Sequence, residues 1–312
     1  MEKETEVMTV PSITTRRPSR TLSALVGIYT LFLSGALAAQ EAQPWMHTDV
    51  AGAWASGFTG KGVTISVIDD FAGSTTYAST MTGTTERKTH GGWTQTQVGM
   101  IATGATVATY DFNAGSQAVQ LGAGLNVLNL SYGKHTGKTV KLARVGWSAQ
   151  DLSVIDAAKK GTAVVIKSAG NDGIAVGAAT RAGTIDQLNA ALIGTQGTIF
   201  VGALESHGSP TARARIAAYS NRAGTNKTVQ NQFLVVGVPS GAMGLQGTSF
   251  AAPVVAGYAA IIGEKFKTAT PVKIRNQLLN TARRDTIAGY NVTIHGRGEA
   301  SLSRALAPVS IK

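Results

Sequence analysis

From Val254 to Ile262 the chain is small or apolar at every position, and the next charge is Glu264. A helix apolar on all sides is stable only in the middle of a domain, with other elements packed around it. Pro253 fits at its start, because the first N–H groups of a helix have no intrahelical partner to lose. The segment leading in is Gly247-Thr248-Ser249-Phe250-Ala251-Ala252-Pro253. Ser249 therefore stands at a helix N-terminus, where orphan N–H groups and the positive dipole end stabilise an anion. Two readings follow from the residues. Ser249 is a helix cap, or it is a nucleophile whose developing charge uses that end, provided a base lies nearby.

The elements needed to surround such a helix are present. Val63–Ile68 is a continuous apolar, β-branched run of the kind buried on both faces of a sheet, and it ends in Asp69-Asp70. Further strand-like runs are Thr106–Tyr110, Asn126–Leu130, Thr162–Ile166, Ile199–Leu204 and Phe233–Val238. Helical patterns lie between several of them, at Arg144–Lys160 and Thr184–Leu192. Thr270-Pro271 opens another helix, with Thr270 as cap and an apolar stripe of Val272, Ile274, Leu278, Leu279 and Ala282. Strands alternating with helices predict an α/β fold, a mostly parallel sheet covered by helices on both faces. Residues 39–62 read as an extended lead-in, with Trp45 and Trp54 available to pin it to the body.

Residues 1–38 do not read as domain material. Arg16, Arg17 and Arg20 precede an apolar run from Leu22 to Ala39, with Ala36-Leu37-Ala38 at its end. A basic flank, an apolar core and small residues at −3 and −1 predict a secretory signal cleaved before Ala39, and a secreted or periplasmic protein. The rival is an uncleaved anchor, which would place the protein at a membrane; its run barely reaches spanning length and contains Ser23, Tyr29, Thr30 and Ser34. The chain has no cysteine, which excludes disulfides, thiolate metal sites and cysteine nucleophiles. Its net charge of +11 is scattered singly or in pairs without aromatic interleaving, which argues against nucleic acid as a partner.

In an open parallel sheet, ligands bind beyond the carboxyl ends of the strands. Three polar signatures fall there: Asp69, closing Val67-Ile68-Asp69; Ser131-Tyr132-Gly133, after Val127–Leu130; and Asn171, in Ser168-Ala169-Gly170-Asn171. A nucleophilic Ser249 needs a histidine. His90, in Thr89-His90-Gly91 between the first two strands, can reach the strand ends, while His47, His135, His207 and His295 read as surface residues.

Together these blocks resemble the subtilisin family of serine proteases. Val67-Ile68-Asp69, Thr89-His90-Gly91 and the Gly247–Pro253 block carry the resemblance, in the family's chain order of Asp, His and Ser. Ser168–Asn171 resembles its oxyanion segment and Leu130-Ser131-Tyr132-Gly133 its substrate-binding strand. The likeness spans roughly residues 45–307. It implies a subtilisin-like domain over residues 39–312 and an endopeptidase. Ser249 would attack, His90 carry the proton, Asp69 hold the imidazole, and Asn171 receive the oxyanion. Ser131, Tyr132, Gly133, Ser168, Ala169 and Gly170 would line the path of a polypeptide substrate, which adds as a strand.

The chain also departs from the family. Gly91-Gly92-Trp93-Thr94-Gln95 replaces the usual residues after the histidine, so the helix carrying it is expected to start differently. No prodomain fits between Ala38 and Trp45, which implies folding unaided or with a partner supplied in trans. The family's calcium sites do not map residue by residue, so no metal and no cofactor are assigned. Asp70 has two readings: a cap of the following turn, or a cleft charge favouring a basic substrate residue beside the one whose bond is cut. Two rival functions are a catalytically silent peptide-binding relative and an esterase. An esterase of the hydrolase fold would show G-x-S-x-G, which the sequence lacks.

Overall fold

The computed structural model describes residues 41–114 and 117–311. The expected signal segment, with its cleavage point before Ala39, lies outside the described residues. Six strands form one sheet: β1 (Val63–Asp69), β2 (Thr106–Asp111), β3 (Leu125–Leu130), β4 (Val164–Ser168), β5 (Thr198–Leu204) and β6 (Phe233–Gly237). Their order is β6-β5-β4-β3-β1-β2, and every neighbouring pair is parallel. The α/β fold expected from the sequence is the one observed. Because β2 is added on one side of β1 and β3 on the other, the strand order reverses at β1. That reversal opens a crevice outside the carboxyl ends, and Asp69 is its central residue.

Each strand feeds two cores, since successive side chains point to opposite faces. Ile65 and Val67 of β1, Val127 of β3 and Ile166 of β4 face one core, shared with α1 (Thr48–Ala55), α2 (His90–Ile101), the central helix and the helix Pro271–Thr281. Ile68, Leu128, Leu130 and Val165 face the other, beneath α3 (Ala149–Lys160) and the short helix Gln187–Leu192. The central helix, α4, spans Ala252–Lys265 and is buried at every position from Ala252 to Gly263. This is the environment its all-apolar sequence demands. The helix α5 (Pro271–Thr281) is capped by Thr270, whose hydroxyl accepts from Lys273 N, with the proline in the first turn as expected.

Three expectations are corrected. The lead-in is not extended throughout: Thr48–Ala55 is helical, because Val50 and Ala53, three apart, turn together onto the body while the His47 ring accepts from Asp49 N. Trp45 and Trp54 do pin this segment, donating to Met81 O at 2.8 Å and Ile101 O at 2.9 Å. Thr184–Asp186 is a short strand paired with His135–Gly137, and only Gln187–Leu192 is helix, started by the Asp186 carboxylate. The helix expected from Arg144 begins at Ala149, where Ser148 and Asp151 close a capping box.

The helices α2 and α4 touch where Gly257 leaves room. A Cβ there would stand 2.5 Å from Ile101 Cγ2, well inside contact distance. Gly257→Val should therefore overpack this contact and destabilise the protein by about 1–3 kcal/mol, read as a lower denaturant midpoint at unchanged slope.

Candidate active site

Asp69 ends β1 with no solvent exposure, so its carboxylate depends on local donors. Oδ1 accepts from Asp70 N at 2.7 Å and lies 2.6 Å from His90 Nδ1; Oδ2 accepts from Thr94 Oγ1 at 2.9 Å. A carboxylate can only accept, which assigns the imidazole proton to Nδ1 and leaves Nε2 with its lone pair. The helix that carries the ring begins at His90 itself, because the Thr89 hydroxyl accepts from Gly92 N as an N-cap. Gly91 N also donates to Asp70 O at 2.8 Å, which ties the helix start to the strand end. The glycine-rich run that departs from the family pattern thus still forms a capped helix.

Ser249 lies in a single 3₁₀ turn, Thr248–Phe250, immediately before α4. Its hydroxyl donates to Ser131 O at 3.1 Å, while Ser131 Oγ donates to Ser249 O at 2.9 Å. It caps nothing: the residue at the cap of α4 is Ala251. The ring of Phe250 sits 5.6 Å from that of His90, centroid to centroid, and Gln97 Nε2 donates to Phe250 O at 2.9 Å. One face of α2 therefore holds Asp69 through His90 and Thr94, and the Ser249 turn through Gln97.

Asn171 is fixed from the same turn. Its Oδ1 accepts from Thr248 N at 2.8 Å and Thr248 Oγ1 at 3.0 Å, and that hydroxyl in turn accepts from Gly170 N. With the oxygen held there, Nδ2 is left as the free donor end. Gly247, at φ 127°, adopts a conformation open to glycine. A Cβ on it would stand 3.4 Å from Asn171 Nδ2 and 3.8 Å from Ser249 N. Two N–H donors thus flank one small space that only the missing side chain keeps open.

The sequence profile of the subtilase family, peptidase S8, matches residues 73–298. The chain belongs to the subtilase family. The match includes His90, Asn171 and Ser249 and begins just after Asp69. As a subtilase the protein is a serine-type peptidase. Among solved structures this subtilase is similar to the prenylagaramide maturation protease PagA, with 18% identity, a TM-score of 0.54, and 83% of this chain and 98% of that one covered. A protease from Pseudoalteromonas arctica is 20% identical, with a TM-score of 0.51 and 83% and 93% covered. MycP1 from Mycobacterium smegmatis is 18% identical, with a TM-score of 0.52 and 87% and 86% covered. At such identities the likeness is one of fold. No curated protein matches the sequence.

Beside Ser249 the subtilase has a cavity of about 290 Å³, lined in part by Ser131–Gly133, Ser168, Gly170 and Asn171. Of the predicted substrate-binding residues, Ala169 is buried beneath this wall, its carbonyl accepting from Asn189 Nδ2 and Asn221 Nδ2. Tyr132 donates to Asp151 Oδ1 at 3.1 Å, and burial pushes its phenol far above the ordinary pKa, so it stays neutral. Asp70 accepts from Gly73 N at 2.8 Å and Asn113 Nδ2 at 3.1 Å, which is the geometry of a turn cap. Of the other histidines, His135 is exposed, whereas His295 is 2% exposed rather than a surface residue. His207 bonds to Trp45 O across the lead-in.

Several residues of the site escaped the sequence reading. Thr94 and Gln97 stand four and seven residues after His90, the spacing that shares a helix face, so that signal was available. Lys167 and Asp186 gave none. Lys167 is 1% exposed and lies 3.4 Å from Asp186, on the cavity wall. Burial pulls the lysine's pKa down, and Asp186 opposes that shift.

Asn221 braces the Asn171 loop: Oδ1 accepts from Asp172 N and Ile174 N, and Nδ2 donates to Ala169 O. Asn221→Ala should cost about 1–3 kcal/mol by orphaning these groups. Hydrogen exchange should show the amides of Asp172 and Ile174 losing protection before the rest of the sheet.

Proposed function

We propose that the protein is an exported serine endopeptidase in which Ser249 is the nucleophile, His90 the general base, Asp69 its partner and Asn171 an oxyanion donor. The observation that carries this reading is the 2.6 Å contact of His90 Nδ1 with buried Asp69, on a helix whose next turns grip the Ser249 segment. In the reaction the Ser249 hydroxyl leaves Ser131 O and turns about χ1 toward Nε2 of His90. Its oxygen attacks the scissile carbonyl as Nε2 takes the proton, and the imidazolium formed is stabilised by Asp69. The carbonyl oxygen, now an anion, enters the space between Asn171 Nδ2 and Ser249 N. Removing one such donor costs about 10²–10³ in turnover in subtilisin itself. Collapse breaks the C–N bond, and Nε2 returns the proton to the leaving amine. Water then repeats the sequence against the acyl-enzyme.

The substrate is a polypeptide, because Ser131–Gly133 and Ser168–Gly170 offer two backbone segments flanking the cavity between which an extended chain adds as a strand. Cleavage before Ala39 and folding without a covalent prodomain, unaided or with a helper in trans, complete the reading.

Two outcomes are expected. Ser249→Ala should abolish peptide hydrolysis and labelling by a fluorophosphonate probe while leaving the far-UV spectrum intact. His90→Ala should lose a comparable several orders of magnitude, because the residues act as a unit. Labelling that survives the serine change, or a silent wild-type protein, would sink the nucleophile assignment. Intact-mass measurement of the exported protein should place its first residue at Ala39, and residues 39–312 should recover activity on refolding.

A further inference from the structure

The cavity beside Ser249 has an unusual lining for a space built to receive a side chain: two opposite charges lie at its buried end. Lys167 Nζ donates to Ser168 O at 2.7 Å and Ser168 Oγ at 3.3 Å, and pairs with Asp186 Oδ2 at 3.4 Å. Its three hydrogens are thereby used. Asp186 does not depend on the lysine in the same way. Its Oδ1 accepts from Lys134 N, Leu188 N and Asn189 N, at 3.0, 3.0 and 3.3 Å, so three backbone donors hold that oxygen without help from the lysine. At 11% side-chain exposure it is the accessible member of the pair, against 1% for Lys167. Asn189 completes the lining. Its Nδ2 donates to Ala169 O, a partner that can only accept, which leaves the buried Oδ1 unpaired. The other charged groups around the cavity, Asp172 and His135, are exposed to solvent.

We propose that Lys167 and Asp186 set the specificity of this cavity. By neutralising each other they admit an uncharged, hydrogen-donating side chain, a carboxamide best of all, at the substrate residue whose carbonyl Ser249 attacks. The proposal rests on Ser249 being the nucleophile and names what lies next to it. The acceptor capacity left, at Asn189 Oδ1 and in the second lone pair of Asp186 Oδ2, calls for an entering group that brings hydrogens. An acidic side chain brings none, and Lys167 has no hydrogen left to give it. A basic one brings them but meets the Lys167 ammonium together with the Asp186 carboxylate. Its charge is stripped of water without a net opposite charge to replace it. A neutral amide escapes that cost.

The asymmetry of support makes the pair a switch. Lys167→Met leaves Asp186 charged on its three backbone amides, with nothing to neutralise it. Asp186→Asn removes the negative charge and leaves the Lys167 nitrogen facing the cavity without it. The test uses peptides identical except at the residue before the cleaved bond, carrying Gln, Asn, Leu, Lys, Arg, Asp or Glu there. The full chain is assayed by kcat/KM, and Ser249→Ala by equilibrium binding of the same peptides. Gln and Asn should exceed the charged residues by at least about tenfold in both readouts. Lys167→Met should raise Lys and Arg by about tenfold or more relative to Gln, and Asp186→Asn should raise Asp and Glu instead. Where Lys167→Met fails to fold, Lys167→Gln serves in its place. A wild-type preference for Lys or Arg, or an unchanged ranking in the folded lysine variant, overturns the proposal. Ranked binding without hydrolysis would overturn the nucleophile reading and leave the cavity's chemistry standing.

Discussion

A carboxylate cut off from water must be surrounded by donors, and the burial of Asp69 imposes that condition on everything near it. Its strand supplies the next backbone N–H, and α2 supplies the imidazole and a threonine hydroxyl. Removing any one of them would leave charge facing an apolar interior, at a cost of several kcal/mol in unfavourable cases. So the position of α2, the glycine at its second residue and the cap at Thr89 are all tied to one side chain. The reversal of strand order at β1 is what gives that side chain a crevice to face.

The second half of the site hangs on a different kind of support. The Ser249 turn is held by backbone and hydroxyl exchanges with Ser131, by Thr248 to Asn171, and by Gln97 from α2. None of these is a charge pair. They orient rather than stabilise, and the orientation they impose leaves Asn171 Nδ2 and Ser249 N as the donors without work. The central helix behind the turn is rigid because it is packed on every side.

Much of this was legible in the sequence, for definite reasons. Strands buried on both faces are continuous apolar runs, so five of the six were placed within one residue and the sixth, Val164–Ser168, within two. Asp69, His90, Asn171 and Ser249 were legible because each sits at a strand end or helix start with a distinctive neighbour sequence. The helix at Thr48–Ala55 was not, since its apolar contacts are few and its start depends on the His47 ring. The strand at Thr184–Asp186 was hidden because it is defined by a partner some fifty residues earlier, His135–Gly137. Lys167 was invisible for the same reason: inside an apolar strand a lysine reads as an exception, and only the fold brings Asp186 to it.

The buried helix α4 also governs timing. Asp69 and His90 belong to the first third of the chain, yet the serine turn precedes a helix packed against the middle strands of the sheet. Until residues 252–265 are present, Ile65, Val67, Val127 and Ile166 have only α1 and α2 to cover them on that side. On the proposed assignment, a chain made or threaded from its N-terminus carries the aspartate and histidine long before it gains the serine. Such non-local closure is slow, because the ends of a large loop must meet before any contact rewards them. Under that assignment the serine arrives together with the helix that seats it, so the centre forms only as the core behind it closes.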